Sequence, residues 1–469
     1  MVLRKFLIGR RLPRWIPLAV ILLLAFTARM SWIASARFAP SFSDDAGRYD
    51  FLGRSLAGGR GFIHPNGTAT TFWPPGYPFL LAAVYKLYPH WLLADHTVRA
   101  ALFVNGLLGT AVVALVYAIG MRAFGRPIAT VAAGLTALFP SLVFFAGVTL
   151  SETAFTFVLL LAIWLLLEAE AREPWLRVLA GLVIGYASLV RGQALLLPLV
   201  AAPFWYASAR TQTHIQQPDG EGPNFRATPP SPDRWKRVLS RVASVGLPAA
   251  LVVLPWSARN YVQSHGPVLI SSNAGVDFFI GHSSAADGRG RVVNDLVFRY
   301  PELPPAEAEA RVSSDGVREG LKYGARHPLH EVTLSARKVF WLYSRDDDAV
   351  LWIDGHGERF VLSRGVRTVL RALSNVYYYA LIVAALAGIR RWCSLQDPPR
   401  LLLLSLVVYW TLVHMAFFGA PRFHAPIMPV LALWAAAGTS AAWAALGACR
   451  RRARLRFQSE RRSSDMLKA

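Results

Sequence analysis

The chain has 469 residues, of which 54% are hydrophobic and only 17% are charged. That charged fraction is too low to cover the surface of an ordinary soluble protein of this length. The formal net charge of +22 suggests an anionic partner, but the basic residues flank apolar segments, and no basic domain interleaved with aromatic residues stands apart. Composition and charge therefore exclude a soluble globular protein and argue against nucleic-acid binding.

Many apolar segments approach the ~20 residues that a helix needs to cross a bilayer. We predict an all-α polytopic membrane protein with about ten transmembrane helices. Their approximate limits are 15–36, 99–121, 127–147, 151–169, 176–190, 193–209, 239–256, 371–389, 401–418 and 426–448. A cleaved signal peptide is the alternative for the first segment, because Ala34-Ser35-Ala36 resembles a cleavage site, but the length of the apolar run favours an uncleaved anchor.

The basic residues follow the positive-inside rule if the N-terminus is cytoplasmic. They concentrate in segments that would then face the cytoplasm: 1–14, 122–126, 172–177, 210–237, 390–391 and 450–462. An even number of spans returns the C-terminus to the same side. The pattern predicts a multi-pass protein of the plasma (inner) membrane with both termini in the cytoplasm.

This topology divides the chain into four parts. Residues 1–256 form an N-terminal transmembrane module, which includes a first outer loop (37–98) and a Pro-rich cytoplasmic linker (210–237) that is predicted to be unstructured. Residues 257–370 form an outer segment, 371–448 the C-terminal transmembrane helices, and 449–469 a basic cytoplasmic tail. Cys393 and Cys449 both fall at cytoplasmic ends of spans, so no disulfide framework is expected.

Short helices are predicted in the first outer loop. Ser43 or Asp44 can cap an interfacial helix that ends at Gly58-Gly59. A second helix begins near Pro74-Pro75 and runs through Leu87.

The larger outer segment is predicted to be a small mixed α/β unit. Val268–Ser271 is strand-like, and Ala306–Tyr323 and Leu329–Tyr343 have helical periodicity.

Acidic residues at the outer membrane boundary are the candidate catalytic groups. A carboxylate there can take the proton from an acceptor hydroxyl as a general base, and Asp45 is the first choice, followed by Asp44. The alternative is that both only cap the interfacial helix. Glu152, at the outer end of a span, could orient an acceptor or hold Arg48, or simply complement the dipole of its helix.

Cations at the outer ends of spans run against the positive-inside trend and are therefore informative. Arg191, Arg259, Arg422 and His424 could bind a lipid phosphate and stabilise the charge that develops on it as a leaving group. Anchoring to lipid headgroups is the alternative for each of them.

A divalent metal is possible but unsupported. Asp346-Asp347-Asp348 and Asp354-x-His356-x-Glu358 contain suitable ligand types, but their spacing matches no specific metal pattern. No cofactor is required by the chemistry outlined above, and no convincing Gly-rich phosphate loop is present.

Several motifs, taken in order, resemble the polyprenyl-phosphate-sugar-dependent membrane glycosyltransferases of the C-type superfold, which include aminoarabinose transferases and protein O-mannosyltransferases. The matching runs are Asp45-Ala46-Gly47-Arg48-Tyr49, Gly59-Arg60-Gly61-Phe62, Trp73-Pro74-Pro75-Gly76-Tyr77-Pro78, Leu150-Ser151-Glu152, Pro255-Trp256-Ser257-Ala258-Arg259-Asn260-Tyr261, His327-Pro328 with Lys338, and Arg422-Phe423-His424-Ala425-Pro426. The resemblance extends over most of the chain.

The resemblance implies a cavity open to the outer leaflet for the lipid carrier. By that resemblance Asp45 matches the catalytic aspartate and Arg48 an arginine near the carrier phosphate, while Tyr49 and Tyr77 lie in matching runs and join the expected substrate-binding residues. Aminoarabinose transferases have a lysine before the double proline, whereas this chain has Trp73. Phosphate binding could pass from that position to Arg259 or Arg422.

The sequence therefore predicts an inverting glycosyltransferase that moves a sugar from a polyprenyl phosphate to an acceptor hydroxyl on a glycan, lipid or protein. The alternative is a lipid-linked-sugar flippase or a small-molecule transporter. A transporter would have charged residues within its spans along a path, whereas most charges here lie in loops and at span ends.

Overall fold

The computed structural model describes residues 13–440 apart from positions 14, 37 and 43 and the segments 88–96, 216–231, 291–295, 297–298 and 356–361. Most of the predicted linker, the basic tail, Ser43, His356, Glu358 and Cys449 lie outside the described residues. Across the part that is described the chain is almost entirely helical and contains no strand, although an isolated bridge joins Ile63 to Ala69.

The N-terminal half of the chain includes the two short helices of the first loop. In chain order they are α1 (Ile16–Ala36), α2 (Asp45–Ala57), α3 (Gly76–Leu87), α4 (Thr97–Ala123), α5 (Arg126–Ala137), α6 (Pro140–Phe144), α7 (Ser151–Ala171), α8 (Leu176–Val190), α9 (Leu197–Val200) and α10 (Ala202–Ile215).

The helices of the C-terminal half include the large segment between spans. They are α11 (Pro232–Ser264), α12 (Asn273–Gly281), α13 (Pro305–Arg326), α14 (Pro328–Tyr343), α15 (Asp348–Gly355), α16 (Arg364–Trp392), α17 (Pro398–Ala416) and α18 (described over 428–440). A 3-10 turn, Pro421–Ile427, leads into α18.

Within the described residues, six helices are long and apolar enough to cross a membrane: α1, α4, α7, α11, α16 and α17. The pair formed by α5 and the segment 140–147 is bent by 58° and makes a seventh if it is one span. The chain is thus a multi-pass membrane protein, but the predicted count of ten is not confirmed.

The shortfall has physical causes. Helix α8 has 15 residues, about 22 Å at 1.5 Å per residue, which is shorter than the ~30 Å hydrocarbon core. The predicted span 193–209 is interrupted by the 3-10 turn Gly192–Leu196 and by the short α9, which has proline in its first turn. The predicted span 426–448 is described only as far as 440.

Helix α7 forms the centre of the bundle, and 72% of its apolar window is buried. Beside it, α8 packs closely on α11 because Gly181 and Gly185 have no side chains at the contact. A Cβ at Gly181 would lie 2.3 Å from the carbonyl oxygen of Val245, and one at Gly185 would lie 2.7 Å from that of Ala249. This is the small-residue spacing that lets membrane helices approach each other.

The two ends of α7 differ in their charged neighbours. Glu152 lies at its N-terminal end. Near the C-terminal end, Glu168 forms a two-point pair with Arg122, at 2.8 and 2.5 Å, and Glu170 lies 2.8 Å from Arg241. The basic residues that flank the spans therefore gather at the end of α7 opposite Glu152.

The predicted helices of the first loop are confirmed. Asp44 caps α2, and the helix ends at Ala57 with Gly58 as its C-cap. Helix α3 begins at Gly76, where a Cβ would lie 2.5 Å from the backbone nitrogen of Val190. The hydroxyl of Tyr186 donates to the Gly76 carbonyl at 3.0 Å, which fixes the start of α3 on the end of α8.

The predicted strand at Val268–Ser271 is wrong, whereas the two predicted helices that follow are confirmed as α13 and α14. The backbone at 268–271 is irregular because its carbonyls bond side chains rather than a neighbouring strand. Asn260 Nδ2 and Trp256 Nε1 both donate to the carbonyl of Ile270, at 3.0 and 2.8 Å.

Helix α13 holds the first loop through Glu309. Its carboxylate accepts from the backbone N–H of Thr71 at 2.6 Å and from the Thr70 hydroxyl at 2.8 Å, and it lies 2.8 Å from His64 Nε2. The first loop and the 257–370 segment are thus joined directly.

Candidate active site

Two adjacent carboxylates at the start of α2 have different surroundings. Oδ1 of Asp44 accepts hydrogen bonds from the backbone N–H groups of Ala46 at 3.1 Å and Gly47 at 3.3 Å. Oδ2 of Asp45 instead accepts from Nη2 of Arg422 at 2.8 Å. Because Asp44 is the helix cap, the geometry favours Asp45 as the reactive carboxylate.

Arg422 lies in the 3-10 turn before α18 and is held between aromatic rings. Its guanidinium carbon is 4.7 Å from the ring centre of Trp352 and 5.1 Å from that of Phe423. Burial by itself lowers the pKa of Arg422, but the carboxylates of Asp45 and Glu152 raise it more, so the net shift of this pKa is upward. Arg422 therefore stays a cation beside Asp45.

Tyr49 follows Asp45 by one helical turn and forms part of an aromatic wall. Its ring meets Trp73 edge-on at 5.7 Å and Tyr77 at 5.4 Å. Burial, and then the charge of Asp45, raise the pKa of Tyr49, so its hydroxyl stays protonated. Tyr77 is fully buried and its hydroxyl accepts from Asn105 Nδ2 at 3.2 Å. Trp73 stands where aminoarabinose transferases have a lysine. It belongs to this wall and supplies no cation.

Glu152 and Arg191 form a buried ion pair next to Tyr49. Nη2 of Arg191 lies 2.5 Å from Oε1 of Glu152, and the glutamate is only 1% exposed. Nε of Arg191 donates to Ser151 at 3.0 Å. Glu152 is thus paired with Arg191. The structure does not show the predicted pairing of Glu152 with Arg48.

Arg48 stands apart from these pairs. Its guanidinium carbon lies 4.0 Å from the ring centre of Phe42, and burial lowers its pKa. Among the residues that the structure describes, no carboxylate forms an ion pair with Arg48. Its donors are available to an anionic ligand.

Arg259 lies in a different environment from the Asp45–Arg422 pair. Its Nη1 donates to the carbonyl of Thr70 at 2.6 Å and its Nη2 to that of Phe62 at 2.9 Å. The guanidinium carbon also lies 4.9 Å from the ring centre of Trp256. These contacts fasten the first loop to α11, and the predicted phosphate-binding role of Arg259 stays a prediction.

His424 is close to Arg422 in sequence but has no exposed surface. Its Nδ1 lies 2.6 Å from the carbonyl oxygen of Leu342, and its Nε2 lies 2.8 Å from Oδ1 of Asp346. The ring stacks on Tyr378 with centroids 4.9 Å apart. These contacts fix the 3-10 turn on the end of α14, and both ring nitrogens are occupied.

The candidate metal ligands near this turn face different basic partners. The nearest partners are His424 for Asp346, Arg371 for Asp347 and Arg345 for Asp348, at 2.8, 2.6 and 3.0 Å. Asp354 pairs with Arg367. In the described ranges no group of three or more His, Cys, Asp or Glu side chains is placed to hold a metal ion. The metal requirement stays untested.

Asp277 on α12 is a site residue that sequence analysis missed. Burial and, to a smaller extent, the nearby charge of Asp45 raise the pKa of its carboxyl group to about 7, and Arg422 opposes that shift. The only sequence signal was an acidic residue inside an otherwise apolar run, Val276-Asp277-Phe278-Phe279-Ile280. That signal does not reveal which groups Asp277 faces.

We call Asp45, Tyr49, Glu152, Arg191, Asp277 and Arg422 together the Asp45 site. It contains three carboxylates and two guanidinium groups around one tyrosine, and four of its members couple electrostatically to that tyrosine. Such a set can accept a proton at one carboxylate and stabilise developing negative charge at an arginine.

A comparison with protein families finds a model that matches part of the chain. Residues 73–218 match the family model for dolichyl-phosphate-mannose-protein mannosyltransferase. This match covers less than a third of the chain and includes Tyr77, Glu152 and Arg191. No curated protein matches the sequence.

Solved structures share the fold. The oligosaccharyltransferase AglB of Archaeoglobus fulgidus, in complex with an inhibitory peptide and a dolichol-phosphate, is 17% identical, with a TM-score of 0.51 over 92% of this chain and 51% of that one. Its apo form is 15% identical, with the same TM-score over 93% and 51%. The chain spans about half the length of these relatives.

ArnT of Cupriavidus metallidurans bound to undecaprenyl phosphate is 14% identical, with a TM-score of 0.39 over 88% of this chain and 77% of that one, a likeness too weak to establish a common fold. The resemblance to the C-type superfold of membrane glycosyltransferases is confirmed by the family match and by the fold shared with AglB.

Proposed function

We propose that this protein is an inverting glycosyltransferase that moves a sugar from a polyprenyl-phosphate donor to an acceptor hydroxyl at the outer face of the plasma membrane. The observation that supports this most strongly is the Asp45–Arg422 pair, which combines a partly accessible carboxylate with a cation in a multi-pass membrane protein. The family match over residues 73–218 supports the same class of reaction.

Asp45 acts as the general base. Its side chain is 26% exposed, and in the described part of the chain its Oδ1 has no hydrogen-bond partner. The acceptor hydroxyl donates its proton to this oxygen as its own oxygen attacks the anomeric carbon. The new glycosidic bond forms on the face opposite the departing phosphate, the bond from the anomeric carbon to phosphate oxygen breaks, and the configuration inverts.

Arginines stabilise the phosphate as it leaves with the bonding electrons. Arg422 is adjacent to Asp45 and stays charged, and Arg48 has a guanidinium group without an acidic partner among the described residues. Planar guanidinium groups match phosphate oxygens at two points. Arg191 is already paired with Glu152, so this pair orients the site and does not bind the donor phosphate.

The donor is a lipid and needs no nucleotide-binding domain. AglB has been solved with a dolichol-phosphate, the same kind of carrier that this proposal assigns here. The acceptor is an alcohol on a glycan, lipid or protein. The chemistry uses carboxylates and arginines and requires no metal.

The membrane orientation follows from charge. The basic flanks lie at the end of α7 where Glu168 pairs with Arg122, and the Asp45 site lies at the opposite end, near Glu152. The positive-inside rule then assigns the Asp45 site to the outer face and the termini to the cytoplasm.

One observation bears on the alternative, a flippase or transporter. Arg29 is a fully buried cation inside α1, and a cavity joins it to Glu152. Nη1 donates to the carbonyls of Ala25 at 3.0 Å and Ala137 at 3.1 Å. The cavity has room for about one water molecule, so this buried cation does not line a sugar path there. The enzyme remains the better proposal.

Reconstitution tests the proposal. The purified protein is placed in liposomes with a panel of polyprenyl-phosphate sugars and alcohol acceptors, and release of the lipid phosphate is measured. Release that depends on an acceptor supports a transferase. Movement of the lipid-linked sugar between leaflets without release would replace it with the flippase.

A further inference from the structure

Helix packing directs Asp277 toward residues 417–418, which lead to Arg422. One face of α12 is buried through Val276 and Ile280, which cluster with Phe418. On the next face, a Cβ at Gly281 would lie only 1.8 Å from the carbonyl oxygen of Phe417. Asp277 lies one turn before Gly281 and between these two contacts, so it faces the segment that leads to Arg422.

The start of α12 is fixed on the first loop. The backbone N–H of Ser272 donates to the carbonyl of Thr71 at 2.8 Å, and that of Asn273 to the carbonyl of Phe72 at 3.4 Å. Phe72 packs on Trp73, which in turn meets Tyr49. The N-terminal turn of α12 is therefore next to the aromatic wall. This wall includes Tyr49, which lies one helical turn after Asp45 on α2.

Asp45 and Asp277 differ in their partners. Asp45 is bonded to Arg422, whereas Asp277 forms no hydrogen bond or ion pair with any residue in the described ranges. A proton on Asp45 removes the charge that faces Arg422 and leaves this half-buried cation without its partner. A proton on Asp277 breaks no such pair, so the neutral form is better tolerated there.

We propose that Asp277 is a proton-relay residue that receives from Asp45 the proton released by the acceptor hydroxyl. This inference rests on the proposed glycosyl transfer. The acceptor proton first moves to Oδ1 of Asp45, then to the carboxylate of Asp277, and finally to solvent. Asp45 recovers its charge and its pair with Arg422 before the next turnover.

Helix α12 and the elements packed against it carry further charged groups. Those on the elements packed against α12, or on α12 itself, are Asp45, Arg422, Lys338, His282, Glu331, Asp315, Arg318 and Glu319. Lys338 is buried near Gly281, and burial lowers its pKa to about 8, with Glu331 opposing the shift. Asp315 is already paired with Arg318 and Glu319 with Arg299, so Asp45 and Arg422 are the main influences on Asp277.

The relay predicts a specific pH dependence. Asp277 can accept a proton only when it is ionised, and its pKa is raised to about 7. Turnover of the wild type should therefore rise with pH through about 7 and level off above it. If Asp277 had a purely structural role, replacing it would lower activity but would leave this pH-dependent rise in place.

The test compares Asp277→Asn with the wild type and with Glu302→Gln, which removes one negative charge from an exposed position in the same segment. We expect kcat of Asp277→Asn to fall about 10- to 100-fold, with the donor KM little changed and the limb near pH 7 lost. Glu302→Gln should keep both kcat and the limb. Asp277→Glu keeps a carboxylate and should restore the limb, which separates chemistry from a folding defect.

The outcomes distinguish this inference from the function on which it rests. Unchanged kcat and pH profile in Asp277→Asn overturn the relay while the glycosyltransferase stands. An equal loss of the limb in Glu302→Gln also overturns it, because the effect would then be one of general charge. No turnover of the wild type with any polyprenyl-phosphate sugar overturns both.

Discussion

Arg422 donates a hydrogen bond to Asp45 at 2.8 Å across a sequence separation of 377 residues. The bond joins the start of α2, in the N-terminal half, to the turn between α17 and α18. Arg422 is also held through its backbone N–H, which donates to Asp348 at 3.1 Å. The candidate base is therefore positioned by both halves of the chain.

Replacing Arg422 tests its role next to the base. Lysine keeps the charge but loses the planar fork and the stacking on Trp352. We expect Arg422→Lys to lower kcat/KM about 10- to 100-fold and Arg422→Gln about 100- to 1,000-fold. Arg345→Lys is the matched control, because Arg345 also contacts Asp348 but lies outside the Asp45 site. Equal losses in the two lysine variants would contradict a specific role.

The Glu152–Arg191 pair predicts a stability effect that depends on the partner. Arg191→Gln leaves Glu152 buried and unpaired, which should cost about 3–5 kcal/mol of unfolding free energy. The double variant Glu152→Gln with Arg191→Gln should recover much of that loss, because neither residue is charged. Thermal unfolding in detergent measures both. Additive losses would show that the two residues do not act as a pair.

His424 and Arg48 should separate stability from donor binding. His424→Ala removes a buried ring that contacts Leu342 and Asp346, so it should lower stability by about 2–4 kcal/mol while the donor KM of the folded fraction stays close to wild type. Arg48→Ala should raise the donor KM with little change in stability, because its guanidinium group only stacks on Phe42. A raised donor KM in His424→Ala at full stability would return His424 to the substrate-binding residues.

Close packing around Arg29 predicts different effects at two glycines. A Cβ at Gly109 would lie 2.6 Å from Nε of Arg29, whereas one at Gly134 has no atom within 4 Å. Gly109→Ala should therefore destabilise the protein by about 1–3 kcal/mol. Gly134→Ala should be neutral or stabilising by up to about 1 kcal/mol, since alanine favours helix. Similar melting temperatures for the two variants would mean that Arg29 is free to move.

Local patterns were sufficient to predict much of the first loop. The cap at Asp44, the helix that follows and the Gly58 terminus depend on neighbours within a few residues. The preference for Asp45 over Asp44 came from the family resemblance and stays a prediction. Hydropathy likewise predicted the long spans. The predicted spans at α8 and at 193–209 are not confirmed, because apolar composition continues there through a short helix and a break.

Tertiary contacts decided the rest of the site. Glu152 and Arg191 were each predicted as site residues, but their pairing depends on how α7 packs on α8. His424 lies in the same motif as Arg422, yet the turn directs it into the interior. Asp277 was missed because only the packing of α12 against the 417–418 segment turns it toward Arg422.

The most direct test of the central claim compares Asp45→Asn with Asp44→Asn by measuring acceptor-dependent release of lipid phosphate from a polyprenyl-phosphate sugar. Asparagine caps a helix about as well as aspartate, so Asp44→Asn should keep near wild-type kcat. Asp45→Asn removes the proton acceptor and should lower kcat about 100- to 10,000-fold while donor binding persists. Full activity in Asp45→Asn, or equal losses in both variants, would contradict Asp45 as the base.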